Sequence, residues 1–202
     1  MNNTESTELK IKSAAKDVFL KKGFKGCTTR EIAKKAGMNV ALVNYYFRSK
    51  EQLFQVVFNT VMEEFLTGMV EVFSAKIALK EKVEILIDRE FEFYSKNPEL
   101  PGFVLNEIGK NPSFADENKN AFNRIQETGI FQEAIEAQKA GIMRELDMFD
   151  LTMLIMSNCQ FPFISKNLMS SLMELSPDEL HTKTISYKSI VSSMLLSYIF
   201  IK

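Results

Sequence analysis

Apolar residues in this chain recur at intervals of three and four. Nowhere in its 202 residues do they settle into the alternation by twos of a half-buried strand. That periodicity confines the chain to the all-α class. Leu9, Ile11, Ala14, Ala15, Val18 and Phe19 form the first stripe, and Gly23 stops it. Thr28 or Thr29 caps a short helix running to Ala36, with Glu31 three residues after Thr28 as a capping box requires. Gly37 ends that helix. Asn39 caps the next, Val40 to Tyr46, and Ser49 caps a long one from Lys50 to about Ala75.

The later stretches follow the same grammar. A helix from about residue 78 to Lys96 is closed by Asn97-Pro98. A loop with Pro101 and Gly102 leads to a short helix, Phe103 to Gly109, which Pro112 breaks. A long helix follows from about Phe114 to Lys139, terminated by Gly141. Asp147 caps a helix to about Leu172, and Pro162 inside it predicts a kink. Ser176-Pro177-Asp178-Glu179 opens the last helix with a cap, a proline and a glutamate in the preferred order. The expectation is about nine helices.

Charge divides the chain. Residues 1–50 hold eleven Lys and Arg against four Asp and Glu, a balance of +7; the remainder balances at −8. A basic N-terminal part on an acidic body fits a polyanion met by that part alone, although a basic face that is merely solvated is also common. The expected division is 1–50 and 51–202. Cys27 and Cys159 have no metal-ligand spacing and read as reduced thiols. The N-terminus, MNNTESTELK, lacks an apolar signal region, and the run MLLSYIFI is too short to span a bilayer. A cytoplasmic protein with no membrane segment, metal or cofactor is expected. His181 is the only histidine, and the chain has no phosphate loop, paired-cysteine motif or nucleophile–base arrangement, so enzymatic chemistry has no foothold.

Ala33, Gly37 and Val43 make the skeleton of a helix-turn-helix. Ala33 lets two helices approach, Gly37 takes the left-handed turn and Val43 fills the angle. Helical phase turns Asn39, Val40, Ala41, Asn44 and Tyr45 outward, and Leu42, Val43, Tyr46 and Phe47 toward the core. Asn44 is suited to bidentate contact with adenine, and Val40 and Ala41 to thymine methyl groups. Contact of Asn44 with phosphate or solvent alone is an equal alternative.

The stretch TTREIAKKAGMNVALVNYYFRSKEQLF resembles the DNA-binding segment of TetR-family transcriptional regulators. The likeness rests on Phe19, Gly23-Phe24, Thr28-Thr29, Ile32-Ala33, Ala36-Gly37, Tyr46-Phe47 and Ser49-Lys50-Glu51. It covers roughly residues 8–58. It implies that Thr28, Thr29 and Arg30 lie at the DNA backbone, Thr29 as a phosphate-binding hydroxyl. Lys50 is implied as a second phosphate anchor, and one of Tyr45 and Tyr46 as a further backbone contact. Asn44 stands where the family often has tyrosine.

The acidic part holds fourteen of the seventeen Phe and nine of the eleven Met, ordinarily simple core. The resemblance implies an effector pocket here, for a small hydrophobic molecule, with Met62, Phe65, Met69, Phe91, Tyr94, Phe103, Phe122 and Phe161 as lining. Leu151, Leu154, Ile155 and Cys159 mark one helix face, and IVSSMLLSYIFI at 190–201 is apolar on nearly all sides. A helix apolar all round must be buried all round, so Ile190, Val191, Met194, Leu195 and Tyr198, with Leu151, Leu154, Ile155 and Cys159, are expected to meet a second copy. The function these expectations describe is a ligand-responsive regulator, a repressor by the family's default. It binds a double-stranded palindromic operator as a homodimer. A DNA-binding protein with an interaction or nucleoid role and no effector is the alternative.

Overall fold

The computed structural model describes the backbone of residues 3–108 and 119–201, and the side chains of 6–106 and 123–201. Among these residues the chain forms eleven α-helices and no strand beyond one isolated antiparallel bridge between Met143 and Phe200. In order they are α1 (Asn3–Lys22), α2 (Thr29–Ala36), α3 (Val40–Phe47), α4 (Lys50–Ser74), α5 (Leu79–Lys96) and α6 (Leu100–Ile108). There follow α7 (Lys119–Glu127), α8 (Ile130–Lys139), α9 (Met148–Ile164), α10 (Lys166–Leu172) and α11 (Pro177–Ile199). The chain divides into two units. The first holds the residues up to Phe65 together with those of α6 from Phe103 on; the second holds Leu66–Gly102 and the rest. The division thus falls inside α4, later than the change of charge at residue 50.

In the first unit α1 buries Ile11, Ala15 and Phe19 to 1% exposure or less. Leu9, counted in the same stripe, is 58% exposed, because two residues from Ile11 is more than half a turn round the helix. Ile32 and Ala33 of α2 and Val43 and Phe47 of α3 complete the core. Phe54 of α4 is the hub of an aromatic cluster: its ring lies 4.9 Å from Phe24, 5.1 Å from Phe19, 5.5 Å from Phe103 and 6.1 Å from Phe58. Such pairs add roughly 0.5–1.5 kcal/mol each beyond the area they bury.

In the second unit α5 packs against α8, α9 and α11. Its buried Lys82, Leu86, Glu90 and Tyr94 recur every fourth residue, with Ile87 and Phe91 beside them. The ring of Phe163 on α9 lies 5.8 Å from those of both Phe91 and Tyr94. Val72, Phe73, Leu86, Ile125 and Ile130 form a further cluster, with Met69 and Ile155 packed on it. The buried ammonium of Lys82 donates to the Phe73 carbonyl at 2.8 Å and to both carboxylate oxygens of Glu133 at 2.7 and 2.8 Å. It joins the end of α4 to α5 and α8.

Three expected boundaries differ. The helix placed from Phe103 begins at Leu100, since Pro101 is tolerated in a first turn where no donor is needed. The expected helix to Lys139 is two: Gly129 takes φ +80°, and the Thr128 hydroxyl donates to the Ile125 carbonyl at 2.6 Å while accepting from the Ile130 N–H at 3.3 Å. The helix expected to run to Leu172 divides at Ser165, three residues after Pro162. Those two divisions turn about nine expected helices into the eleven of the described residues. The expected start near Phe114 and the break at Pro112 lie outside the described residues.

Candidate nucleic-acid interface

The N-terminus of α2 is closed by a reciprocal capping box. Thr28 Oγ1 accepts from the Glu31 N–H at 3.2 Å, and the Glu31 carboxylate accepts from the Thr28 N–H at 2.9 Å and its hydroxyl at 3.1 Å. Lys22, in the last turn of α1, donates to the other carboxylate oxygen at 2.6 Å. These bonds, led by that from Lys22, hold the Glu31 carboxyl down at about 2. Thr28 is therefore the cap and its hydroxyl is committed. Thr29, half-buried at the first helical position, and the exposed Arg30 lie at the positive helix end.

The other end of α2 is fixed by Gly37 at φ +69°. Its N–H donates to the Lys34 carbonyl at 3.2 Å, and that of Met38 to the Ala33 carbonyl at 2.9 Å. This is the paired bonding of a left-handed helix terminus, which glycine enters without a Cβ penalty. It sets the direction of α3. With Ala33 and Val43 each 1% exposed at the crossing, the helix-turn-helix is fully formed.

α3 has eight residues, so it is roughly 12 Å long, comparable to the width of the major groove. Asn39, exposed, is its cap: Oδ1 accepts from the Leu42 N–H at 2.7 Å. Ala41 and Asn44 are exposed, and Val40, expected to face outward with them, is half-buried. Tyr45 is 79% exposed, and its ring stands edge-on to that of the half-buried Tyr46 at 5.5 Å. The helix ends at Arg48, exposed and held at φ +56° with its N–H on the Asn44 carbonyl at 2.8 Å. Sequence reasoning passed over Arg48. The signal was a cation directly after the last turn of the recognition helix.

Lys50, the second phosphate anchor that the resemblance implied, is half-buried at the start of α4. Its ammonium donates to the carbonyls of Phe24 at 2.9 Å and Cys27 at 3.0 Å, and lies 4.3 Å from the centroid of the Phe24 ring. Two of its three donors fix the α1–α2 turn against the start of α4.

The residues expected to line an effector pocket are only partly assembled. Phe91 and Tyr94 are buried together around Phe163, and Met69 packs on the core of the second unit. Met62 and Phe65 are half-buried in the first unit. Two assignments are corrected. Phe103 joins the aromatic cluster around Phe54 in the first unit. Phe161 is 58% exposed, because it lies two residues from both of the inward-facing Cys159 and Phe163 and so on the other side of α9. The side chain of Phe122 lies outside those described. Glu90, a polar member of the buried face of α5, was not foreseen. It stands beside Phe91 with its Oε2 unbonded.

The expected dimer face also needs a correction. Leu151, Cys159, Val191 and Leu195 are 7% exposed or less, in the second unit's own core. Leu154 and Ile155 are half-buried. The exposed residues of the set are Ile190 (60%), Met194 (43%) and Tyr198 (45%), one stripe of α11 at four-residue spacing. Met153 and Met156 of α9 are exposed as well.

Residues 11–57 match the family model described as bacterial regulatory proteins, tetR family. Over 86% of this chain and 85% of its own length, the probable HTH-type transcriptional regulator YttP of Bacillus subtilis is 28% identical. The HTH-type transcriptional repressor NicS of Pseudomonas putida is 27% identical over 84% and 81%. Among solved structures, the hemolysin II transcriptional regulator HlyIIR superposes with a TM-score of 0.68 at 25% identity, covering 99% of this chain and all of that one.

Proposed function

We propose, from the premise that this chain is a TetR-family transcriptional regulator, that it is a repressor which binds a palindromic operator as a homodimer and leaves it when a small apolar effector binds. The family consists of DNA-binding regulators, not enzymes. The observation that carries the reading is the exposed edge of α3: Asn44 and Tyr45 project from a rigid helix-turn-helix whose inner residues are fully committed to packing.

On this reading the two ends of the interface have different tasks. Thr29, Arg30 and Arg48 hold phosphates, because a helix terminus and exposed guanidinium groups favour anions of any sequence. Asn44 reads a base, with Ala41 and Val40 against thymine methyl groups. One short helix gives little affinity, so two copies bind together. Their recognition helices then enter successive major grooves about 34–36 Å apart or somewhat more. The exposed stripe Ile190, Met194 and Tyr198 supports a second copy packed on α11 as the source of that pairing.

The second unit supports an effector site in the aromatic surroundings of Phe91 and Tyr94. Release requires that the effector prefer one of two arrangements of the dimer, with α4 as the helix both units share. Fluorescence anisotropy of wild type and Asn44→Ala on operator variants tests the base reading. The variant should lose about 1–3 kcal/mol of discrimination at one base pair in each half-site. A uniform loss over all sequences would contradict it.

A further inference from the structure

A carboxylate removed from water is normally paired with a cation or held by several donors, because a lone buried ion is strongly unfavourable. Glu90 departs from that rule. It is 2% exposed on α5, and its Oε2 has no hydrogen-bond partner. One side chain, that of Gln160 on α9, bonds the carboxyl; burial pushes its pKa up to about 8 against that bond. Three basic groups of α5 and α11 are committed elsewhere. Lys82 is held by Glu133 of α8 and the Phe73 carbonyl. Arg89 is held by Glu71 and the Gly68 carbonyl of α4. Lys188 of α11 is held by Asp88. The titratable neighbours that Glu90 influences are Tyr94 and Cys159. Burial first, and then the Glu90 charge, raises both above their ordinary values, so both stay neutral.

We infer that Glu90 is the recognition point for a protonated amine carried by an otherwise apolar effector, the amine donating to Oε2. The inference rests on the proposal that the second unit is ligand-responsive. Phe91 and Tyr94 lie on the same helix beside Glu90, with Phe163 against both rings. These aromatic rings suit the apolar part, and their faces attract a cation. An effector acid would bring a second acidic group beside the Glu90 carboxyl. A neutral alcohol would satisfy the oxygen but leave Glu90 protonated, with no ion pair gained.

The sign of the pH dependence follows. Glu90 is protonated when alone at neutral pH, and binding an ammonium requires its ionised form, so one proton leaves on binding. Affinity for the amine therefore rises about tenfold per pH unit below the free group's pKa and levels off above it.

The test uses the full chain and three probes of one shape: naphthalen-1-ylmethylamine, naphthalen-1-ylmethanol and 1-naphthoic acid. Calorimetry at pH 6, 7 and 8 should show the amine binding at least tenfold tighter than the alcohol at pH 8, with its affinity falling as pH falls. In Glu90→Gln that preference should disappear while the alcohol binds within about threefold of its wild-type affinity. If this variant fails to fold, the carboxyl carbon shift of isotope-labelled wild-type Glu90 decides, moving to the ionised value only with the amine. Alcohol or acid binding as tightly as the amine, or an amine preference that survives Glu90→Gln, overturns the role of Glu90 and leaves ligand response standing. If no probe binds, the role of Glu90 is overturned. Operator binding that in addition resists a broad library of apolar compounds would overturn ligand response as well.

Discussion

Lys50 and Phe24 are joined twice: the ammonium donates to the Phe24 carbonyl at 2.9 Å and sits 4.3 Å from the centroid of the same residue's ring. A residue matching a phosphate anchor by position is, by geometry, a clamp on the turn that aims α2.

Lys50→Met should therefore act first on the fold. Losing a charge-assisted bond to each of two carbonyls costs about 1–3 kcal/mol in a half-buried place. Thermal unfolding should show a melting temperature several degrees lower, while the salt slope of DNA binding by the folded protein changes by less than one unit. A full unit of slope lost with no change in stability would assign Lys50 to direct phosphate contact instead.

Glu31 gives the first unit an acid limit. Its folded pKa of about 2 lies below its unfolded value, so its contribution is present at neutral pH and is lost as pH falls from about 4.3 toward 2. Denaturation followed between pH 5 and 2 should show wild type losing more stability than Glu31→Gln, whose capping bonds do not titrate. Parallel curves would remove Glu31 from that account.

Arg48 holds a backbone conformation that L-residues seldom adopt, at φ +56°. Arg48→Gly relieves strain of about 1 kcal/mol. The same change removes a cation beside the recognition helix. The variant should melt higher yet bind DNA more weakly, with a salt slope smaller by about one. Stability and affinity moving together would contradict the division of roles.

Met194 lies in the exposed stripe of α11 between Ile190 and Tyr198. Met194→Asp leaves a single folded chain unharmed but sets an unpaired charge in any apolar dimer interface, which costs several kcal/mol. Sedimentation should show a folded monomer and operator affinity at least tenfold lower. A variant that still dimerises would move the interface elsewhere.

The sequence was most informative where structure is decided locally. Thr28 with Glu31, Gly37 with Ala33, and Ser176 with Glu179 lie within one or two helical turns, so residue type and spacing sufficed to place those caps. It was least informative where the answer depends on what packs against a residue. Phe103 and Phe161 have equal hydrophobicity, yet one enters the cluster of Phe54 and the other faces outward. The stretch 190–201 is apolar on both sides, so it implied a partner without telling Val191 and Leu195, which face inward, from Ile190 and Met194. Glu90 was missed because a glutamate in an amphipathic helix normally faces solvent. The breaks at Gly129 and Ser165 fall inside stretches expected as single helices.

The claim that α3 of this protein reads a DNA sequence through a paired arrangement is tested most directly by selecting bound duplexes from a random pool at about 0.15 M salt. The account predicts an inverted repeat whose half-sites lie about one helical turn apart or slightly more, with one strongly fixed A·T pair per half-site that relaxes in Asn44→Ala. Binding with a steep salt dependence and no enriched sequence would contradict it.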